Sequence, residues 1–298
     1  MDEVSSYNNI DVSVVIPVYN EEESLKELTT QIETALEDEF SFEIILVDDG
    51  SSDNSWSEIK KLSNEKYFIQ GIALSHNYGK SVALQAGFDT AQGAFVVTMD
   101  SDLQDDPAEV PEMIQMLKDG YDLVSGWKKE RHDPISKTIP SKFFNFVTRK
   151  VAGIELHDFN CGLKAYRSDV IKDIYLYGEL HRYIPMLAKK EGYTRITEKV
   201  VKHHPRKYGK TKFGLSRFMN GFLDLVTLTF VQRYLQKPMH FFGTVGVLLL
   251  LAGGGINVYM VYLRYVLGEG IGDRPLLFLG ILLMVVGVQF FSTGLLGE

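Results

Sequence analysis

The chain has 298 residues, of which 45% are hydrophobic and 23% charged, and its formal net charge is −8. This length allows one α/β domain of about 200 residues plus an appendage. The acidic balance argues against nucleic acid as a partner, because phosphate backbones select basic surfaces. The single cysteine, Cys161, excludes an internal disulfide and any zinc site with several cysteine ligands. The polar, acidic N-terminus does not resemble a signal peptide, so we expect the domain that follows in the cytoplasm.

The first hundred residues alternate between apolar, β-branched runs and helical segments. This alternation predicts βαβ units and an α/β fold with a doubly wound, mostly parallel sheet, in which ligands bind at the carboxyl ends of the strands. Asn20 is expected to cap the first helix and Asp53 the second, because short polar side chains bond the free N–H groups there. The predicted strands are residues 11–19, 42–47, 69–75 and 95–99.

The next segment completes this domain. Asp106 and Pro107 predict a helix start, with the aspartate as cap and the proline at the first helical position. Residues 127–140 are polar and basic and end in proline, which favours a mobile loop. The remaining predicted elements are a short strand at 123–125, helices at 141–151 and 180–191, and a final pair of strands.

The C-terminal part is predicted to lie on and in a membrane. Residues 215–235 are amphipathic, which suits helices at the membrane interface. Residues 241–263 and 276–296 carry no charge, and each run exceeds the roughly 20 residues that cross a bilayer. The lysines and arginines before the first span place the preceding domain in the cytoplasm. We expect a cytoplasmic domain (1–213), juxtamembrane helices (214–237) and a transmembrane hairpin (238–298).

Two aspartates, Asp100 and Asp102, directly follow a predicted buried strand. In extended backbone the residues i and i+2 point the same way, so both carboxylates face one site. Paired carboxylates at a strand end suit a hard divalent cation that also binds diphosphate oxygens. Gln104 extends the same face. An acidic surface turn is the alternative for such a triplet on its own.

A second acidic turn, residues 48–53, follows the second predicted strand. Asp48 or Asp49 would lie where a nucleobase or ribose reaches the edge of the sheet, and an ordinary turn with a helix cap is the alternative. The chain contains no G-x-G-x-x-G fingerprint and no phosphate-binding P-loop after a strand. Dinucleotide-binding and ATP-hydrolysing functions therefore lack their main signatures.

Five motifs together carry a resemblance that covers nearly the whole chain: VVIPVYNEEESL, ILVDDGSSDNS, LSHNYGKSVALQAG, VTMDSDLQDDP and FNCGLKAYR. They resemble glycosyltransferase family 2 and, more narrowly, the polyprenyl-phosphate (dolichyl-phosphate) sugar synthases. The resemblance implies a GT-A-like catalytic domain anchored in the cytoplasmic membrane, and a homo-oligomer in which a tetramer is expected. It also implies inverting transfer of a sugar from a nucleotide diphosphate sugar, with UDP-glucose or a related UDP-sugar favoured over GDP-mannose, to polyprenyl phosphate.

The resemblance also assigns roles to residues. It implies that Asp100, Asp102 and Gln104 hold Mg²⁺ or Mn²⁺, and that Arg206 and Lys212, in the run RKYGKTK, close over the diphosphate. Asp100, Asp102 and Arg206 are the expected catalytic residues. The expected nucleotide site comprises Pro17, Tyr19, Glu21 and Asp49, with Asp48, Asp100 and Ser101 beside them.

Two motifs depart from the family pattern. The family's G-[ST]-R is Gly126-Trp127-Lys128 here, and a lysine lacks the bidentate fork of an arginine. The family's D-x-[ST]-[CS]-G is residues 158–162, in which Cys161 is interpreted as a small packing residue rather than a nucleophile. These differences bear on which sugar is used more than on whether transfer occurs.

A lipid phosphate needs little acid–base help as an acceptor, because its second pKa near 6 leaves it mostly dianionic at pH 7. The protein must instead hold two anions close together and stabilise the leaving diphosphate. Basic residues in and after the predicted loop are candidates for the acceptor phosphate, although a solvated basic loop is the alternative for each. They are Lys128, Lys129, Arg131 and Lys142.

Two other functions remain as alternatives. A processive polysaccharide synthase would share this catalytic half, but it would carry a Q-x-x-R-W motif and an acidic base where this chain has residues 179–182. Two spans are also too few for a polymer channel in one chain. A non-catalytic adaptor that binds nucleotide sugars would not need the paired carboxylates, and release of nucleoside diphosphate would distinguish it from an enzyme.

Overall fold

A computed structural model describes residues 10–129, 145, 148–149, 152–208, 238–272 and 274–298. The chain divides into two compact units, and each is treated separately below. The predicted juxtamembrane helices at 214–237 lie outside the described residues. So do Arg131, Lys142 and Lys212, together with most of the predicted loop and of the helix at 141–151.

Seven strands of the N-terminal unit form one sheet in the order β3-β2-β1-β4-β6-β5-β7. Only β6 runs antiparallel to its neighbours, which confirms the predicted mostly parallel sheet. The chain steps from β1 to β2 on one side and later to β4 on the other, so the order reverses at β1, where such sheets bind ligands. The strands are β1 Val12–Val18, β2 Phe42–Asp48, β3 Ile69–Ala73, β4 Phe95–Thr98, β5 Leu123–Trp127, β6 Lys164–Arg167 and β7 Ile196–Val200.

Helices cover the sheet through apolar faces. In the first helix, the buried residues Leu25, Leu28, Ile32 and Leu36 recur at helical spacing and join a core with the strands. The predicted helix start at Asp106 is confirmed, since its carboxylate accepts a hydrogen bond from the N–H of Ala108 at 3.0 Å. The helices are α1 Leu25–Leu36, α2 Ser55–Glu65, α3 Lys80–Thr90, α4 Val110–Lys118, α5 Ser168–Asp173 and α6 Ile184–Lys190, with 3-10 turns at Pro107–Glu109 and Leu180–Tyr183.

The prediction that Asn20 caps the first helix is wrong. Helix α1 begins only at Leu25, and Asn20 adopts a positive φ of 53°. Its side-chain oxygen accepts a hydrogen bond from the N–H of Ser52 at 2.7 Å. Asn20 therefore ties the end of β1 to the turn after β2. In that turn Asp53 accepts from the N–H of Ser55 at 2.9 Å, which supports the start of α2.

The C-terminal unit is a pair of apolar helices, α7 Pro238–Tyr265 and α8 Pro275–Gly297. Both are long and apolar enough to cross a membrane, and they contain the predicted spans. Glycines let the two backbones approach: a Cβ on Gly246 would lie 2.8 Å from the carbonyl oxygen of Gly287, and one on Gly253 would collide similarly with that of Gly280. Close packing through small residues is typical of membrane helix pairs.

Candidate functional site

The predicted site residues that lie on or directly after β1, β2 and β4 meet at one edge of the sheet. Parallel pairing places Val18 of β1 opposite Asp48 of β2, and Val15 of β1 opposite Thr98 of β4. The segments that continue from these three strands carry the expected nucleotide and metal residues. The edge therefore brings together Pro17, Tyr19, Glu21, Asp48, Asp49, Asp100, Ser101 and Asp102.

Asp49 organises the turn that leads into α3. Its carboxylate accepts hydrogen bonds from the N–H groups of Tyr78 at 2.7 Å and Gly79 at 3.0 Å. Gly79 has a φ of 96°, a backbone conformation that residues with a side chain rarely adopt. Burial raises the pKa of Asp49 above its ordinary value, although these hydrogen bonds oppose the rise. The exposed rings of His76 and Tyr78 pack against each other beside this turn, with centroids 3.7 Å apart.

Asp100 and Asp102 face different cations. The ammonium group of Lys80 forms an ion pair with Asp100, while a guanidinium nitrogen of Arg206 lies 3.8 Å from Asp102. Burial raises the pKa of Asp100, but the charges of Lys80 and Lys128 outweigh it and the pKa falls below its ordinary value. The pKa of Asp102 rises because of burial and the nearby carboxylates of Asp100 and Asp105, which Arg206 only partly offsets.

These two carboxylates fit a hard divalent cation. Their mutual repulsion, visible in the raised pKa of Asp102, is a cost that a bound Mg²⁺ or Mn²⁺ would relieve. Among the described residues, no three His, Cys, Asp or Glu side chains are arranged to hold a metal. Asp100 and Asp102 would therefore need further oxygen ligands, of the kind that a diphosphate supplies. The backbone N–H of Gln104 donates to the carboxylate of Asp102 at 3.3 Å, and its carboxamide donates to the carbonyl of His204 at 3.4 Å.

The segment that carries Arg206 runs beside the loop of the two carboxylates. An isolated β-bridge joins Asp105 to His203, and the N–H of His204 donates to the carbonyl of Gln104 at 2.9 Å. This pairing brings the guanidinium of Arg206 between Glu21, with which it forms an ion pair, and Asp102. Arg206 thus reaches the site, as expected from the sequence, because the β-bridge between Asp105 and His203 holds its segment there.

Lys128 lies in a buried ion pair. Its ammonium nitrogen is 2.7 Å from a carboxylate oxygen of Asp105, and the side chains are 13% and 0% exposed. Burial lowers the pKa of Lys128, but Asp105 reverses that effect and raises it above its ordinary value. We expected Lys128 to meet an acceptor phosphate; the structure shows its charge already neutralised by Asp105. Breaking such a pair leaves an uncompensated buried charge.

Sequence reasoning did not single out Lys80, which is the first residue of α3 and contacts Asp100. A signal was present in the sequence. A lysine at a helix N-terminus meets the positive end of the helix dipole and is unfavourable there without an anionic partner. This lysine also follows β3, whose carboxyl end lies on the same edge of the sheet as Asp100. The combination points to an acidic partner at that edge.

Gly162 sets the position of Asp100 from the other side. A Cβ on Gly162 would collide with the Asp100 carboxylate. We expect Gly162→Ala to lower turnover by about tenfold or more, because the displaced carboxylate loses its alignment with Asp102. Steady-state rates of the purified protein test this. Gly254→Ala is the control, because a Cβ there would meet no atom within 4 Å. Unchanged turnover in Gly162→Ala would mean that the site tolerates movement of Asp100.

The chain is similar to known proteins in both sequence and fold. The family model described as "Glycosyl transferase family 2" matches residues 13–175. Dodecaprenyl-phosphate galacturonate synthase of Rhizobium johnstonii is 39% identical over 97% of this chain and 87% of its own length. Undecaprenyl-phosphate 4-deoxy-4-formamido-L-arabinose transferase of Proteus mirabilis is 37% identical over 99% of this chain and 90% of its own.

A solved structure shares the fold of the N-terminal unit. Glucosyl-3-phosphoglycerate synthase of Mycobacterium tuberculosis, in complex with Mn²⁺, UDP-glucose and glycerol 3-phosphate, superposes with a TM-score of 0.56 over 75% of this chain and 80% of its own. Its sequence identity is 19%, so the likeness concerns the fold.

Proposed function

Since the chain belongs to glycosyl transferase family 2, we propose that it transfers a sugar from a nucleotide diphosphate sugar to a polyprenyl phosphate. The product is a polyprenyl-phosphate-linked monosaccharide. One observation carries the proposal: Asp100 and Asp102 lie with Arg206 at the edge where the strand order reverses. The two relatives described above, which are named for polyprenyl-phosphate acceptors, and the pair of apolar helices support the lipid acceptor.

The residues divide into four proposed roles. Asp100 and Asp102, with Gln104 beside them, would hold Mg²⁺ or Mn²⁺, which when bound supplies positive charge to the departing diphosphate. Arg206, with Lys212, neutralises the same diphosphate. The acceptor phosphate is assigned to Arg131 and Lys142, while Lys128 keeps Asp105 in place. The nucleotide is assigned to Pro17, Tyr19, Glu21, Asp48, Asp49 and Ser101.

The transfer is proposed as one inverting displacement. An oxygen of the acceptor phosphate forms a bond to the anomeric carbon while the bond from that carbon to the diphosphate breaks. The nucleoside diphosphate leaves with the electron pair of the broken bond. No proton has to move, since the phosphate monoester is already mostly dianionic at pH 7. The protein contributes alignment of the two anions and stabilisation of the charge that develops on the leaving group.

The donor is proposed to be a UDP-sugar. UDP-glucose is the first candidate, and the relative named for galacturonate makes a UDP-uronate a second. The test is to incubate the purified full chain with Mn²⁺, a polyprenyl phosphate and each of UDP-glucose, UDP-galacturonate and GDP-mannose, and to weigh the glycolipid by mass spectrometry. One added sugar per lipid supports the proposal. A ladder of sugars would identify a polymer synthase, and binding without release of nucleoside diphosphate would identify an adaptor.

The membrane hairpin is proposed to bring the acceptor to the site from the cytoplasmic face of the inner membrane. Removing residues from 238 onward should leave a folded N-terminal unit, because its core is formed upstream. We expect turnover of a long-chain acceptor in bilayers to fall at least tenfold, while the Kd for nucleoside diphosphate stays near that of the full chain. Equal use of long-chain acceptor by both forms would rule out this role. A homo-oligomer is a further expectation, which light scattering in detergent tests.

A further inference from the structure

His181 lies beside Asp100 and has no role in the mechanism proposed above. It belongs to the 3-10 turn Leu180–Tyr183, just before α6. Its ring nitrogen Nδ1 is 2.9 Å from the hydroxyl of Ser81, and its backbone N–H donates to the same hydroxyl at 3.1 Å. Ser81 is fully buried and directly follows Lys80, the ion-pair partner of Asp100. The ring is therefore held against the start of α3 by Ser81, which lies 100 residues earlier in the sequence.

The hydrogen bonds of Ser81 identify which ring nitrogen of His181 carries the proton. The hydroxyl oxygen accepts from the backbone N–H of His181, and the hydroxyl proton then needs an acceptor of its own. Nδ1 is that acceptor at 2.9 Å, which leaves the ring proton on Nε2. Burial, together with the neighbouring charges of Lys80 and Arg182, lowers the pKa of His181 well below its ordinary value, so the ring is neutral.

The Nε2 edge of His181 is thus a neutral donor in a positive environment. Among the described residues, none forms a hydrogen bond with Nε2, and His181 as a whole residue keeps partial exposure to solvent. Lys80, Arg182 and Lys164 all act on this ring electrostatically. Lys80 and Arg182 have carboxylate partners, whereas the buried ammonium of Lys164 bonds the carbonyl of Cys161. Three basic side chains and one carboxylate, that of Asp100, thus act on this ring, and this balance favours an anion beside His181.

We propose that Nε2–H of His181 donates a hydrogen bond to an oxygen of the acceptor phosphate and so positions the nucleophile. This inference rests on the proposed transfer to a lipid phosphate. Arg206, which is assigned to the donor diphosphate, lies beside Asp102, whereas His181 interacts with Lys80 and Asp100. A neutral donor orients the phosphate and leaves its negative charge on the attacking oxygen. A cation in the same place would hold the anion more strongly and weaken it as a nucleophile.

Two amide variants of His181 in the full chain separate this role from a structural one. Asn places its amide near the position of Nδ1, so His181→Asn retains the hydrogen bond to Ser81. It has no donor at the position of Nε2, so it loses the proposed hydrogen bond to the phosphate. Gln extends an N–H group toward the position of Nε2. We expect His181→Asn to raise the KM for polyprenyl phosphate about ten- to a hundredfold, the usual cost of one hydrogen bond to a charged group. His181→Gln should restore the KM to within about threefold of wild type.

Nucleotide affinity, measured by calorimetry with UDP and Mn²⁺, should be the same in both variants and wild type. Equal KM increases in both variants, or a weaker UDP affinity in His181→Asn, would overturn the assignment to the acceptor. An unchanged acceptor KM in His181→Asn would overturn it as well. The wild-type assay separates this inference from the proposed function. If wild type makes no glycolipid, the function itself fails; if wild type is active and the variants behave alike, only the role of His181 fails.

Discussion

Replacing either Asp100 or Asp102, the proposed metal ligands, by asparagine is expected to abolish measurable turnover, with a loss of about a thousandfold or more. Each change keeps the shape of the side chain but removes a negative charge where a hard cation must bind, and a single electrostatic contact to a developing charge is already worth about a hundred- to a thousandfold. Initial rates of glycolipid formation by Asp100→Asn and Asp102→Asn measure the effect. Retention of a tenth of the wild-type rate in either variant would contradict the assigned role.

The two variants should differ in stability, which gives the same experiment a second readout. Asp100→Asn leaves the ammonium of Lys80 without its carboxylate, so its melting temperature should fall. Asp102→Asn removes a charge that is repelled by Asp100 and Asp105, so its melting temperature should stay level or rise. If the melting temperature falls in one variant and rises in the other while both lose turnover equally, the two aspartates are functional rather than structural residues.

Asp106→Asn is the matched control, because Asp106 lies in the same loop and its carboxylate accepts from the N–H of Ala108. An asparagine can still cap this helix, so turnover should stay near wild type. Chelation supplies the complementary test of the metal. Turnover should vanish in EDTA and return with Mn²⁺ or Mg²⁺. Full turnover in EDTA would exclude a metal-dependent reaction.

The distribution of hydrophobic residues along the sequence predicted the strands and helices of the fold, because it shows which residues are buried. Alternating buried strands and helices indicated a parallel sheet, and two long uncharged runs indicated the apolar hairpin. Local rules failed where a distant partner competed. Asn20 has the chemistry of a helix cap, but its amide oxygen bonds the N–H of Ser52, which comes 32 residues later. Capping propensity does not take account of such a distant donor.

The same limit separates the predicted from the missed parts of the site. Asp100 and Asp102 were visible because two carboxylates directly follow a buried strand, although the backbone turns at residues 101–103 and does not continue the strand as the expectation of one shared face required. Lys80 and His181 were not, because their partners lie 20 and 100 residues away along the chain. Lys128 shows the converse. Its charge suggested a phosphate ligand, yet the fold buries it against Asp105, a pairing that no local pattern encodes.

Among the protein's own side chains, Arg206 is expected to contribute most to the affinity for the donor diphosphate. It lies between Glu21 and Asp102, within a segment held in place by the bond from Arg206 Nε to the carbonyl of Tyr208 at 2.8 Å. Arg206→Ala should weaken UDP binding in the presence of Mn²⁺ by about ten- to a hundredfold, the cost of one charge-assisted contact. Arg206→Lys should recover part of this loss, because it keeps the charge without the fork.

Lys207→Ala is the control for Arg206→Ala, since the neighbouring lysine points to Glu27 in an exposed ion pair and should bind UDP normally. Arg131→Ala tests the proposed division of the two anions. It should raise the KM for polyprenyl phosphate and leave the Kd for UDP near wild type, because Arg131 is assigned to the acceptor. Calorimetry with UDP and Mn²⁺, paired with acceptor kinetics, measures both quantities on each variant. If UDP affinity fell equally in Arg206→Ala and Arg131→Ala, the two phosphate sites would not be separate, and one cationic surface would have to serve donor and acceptor alike.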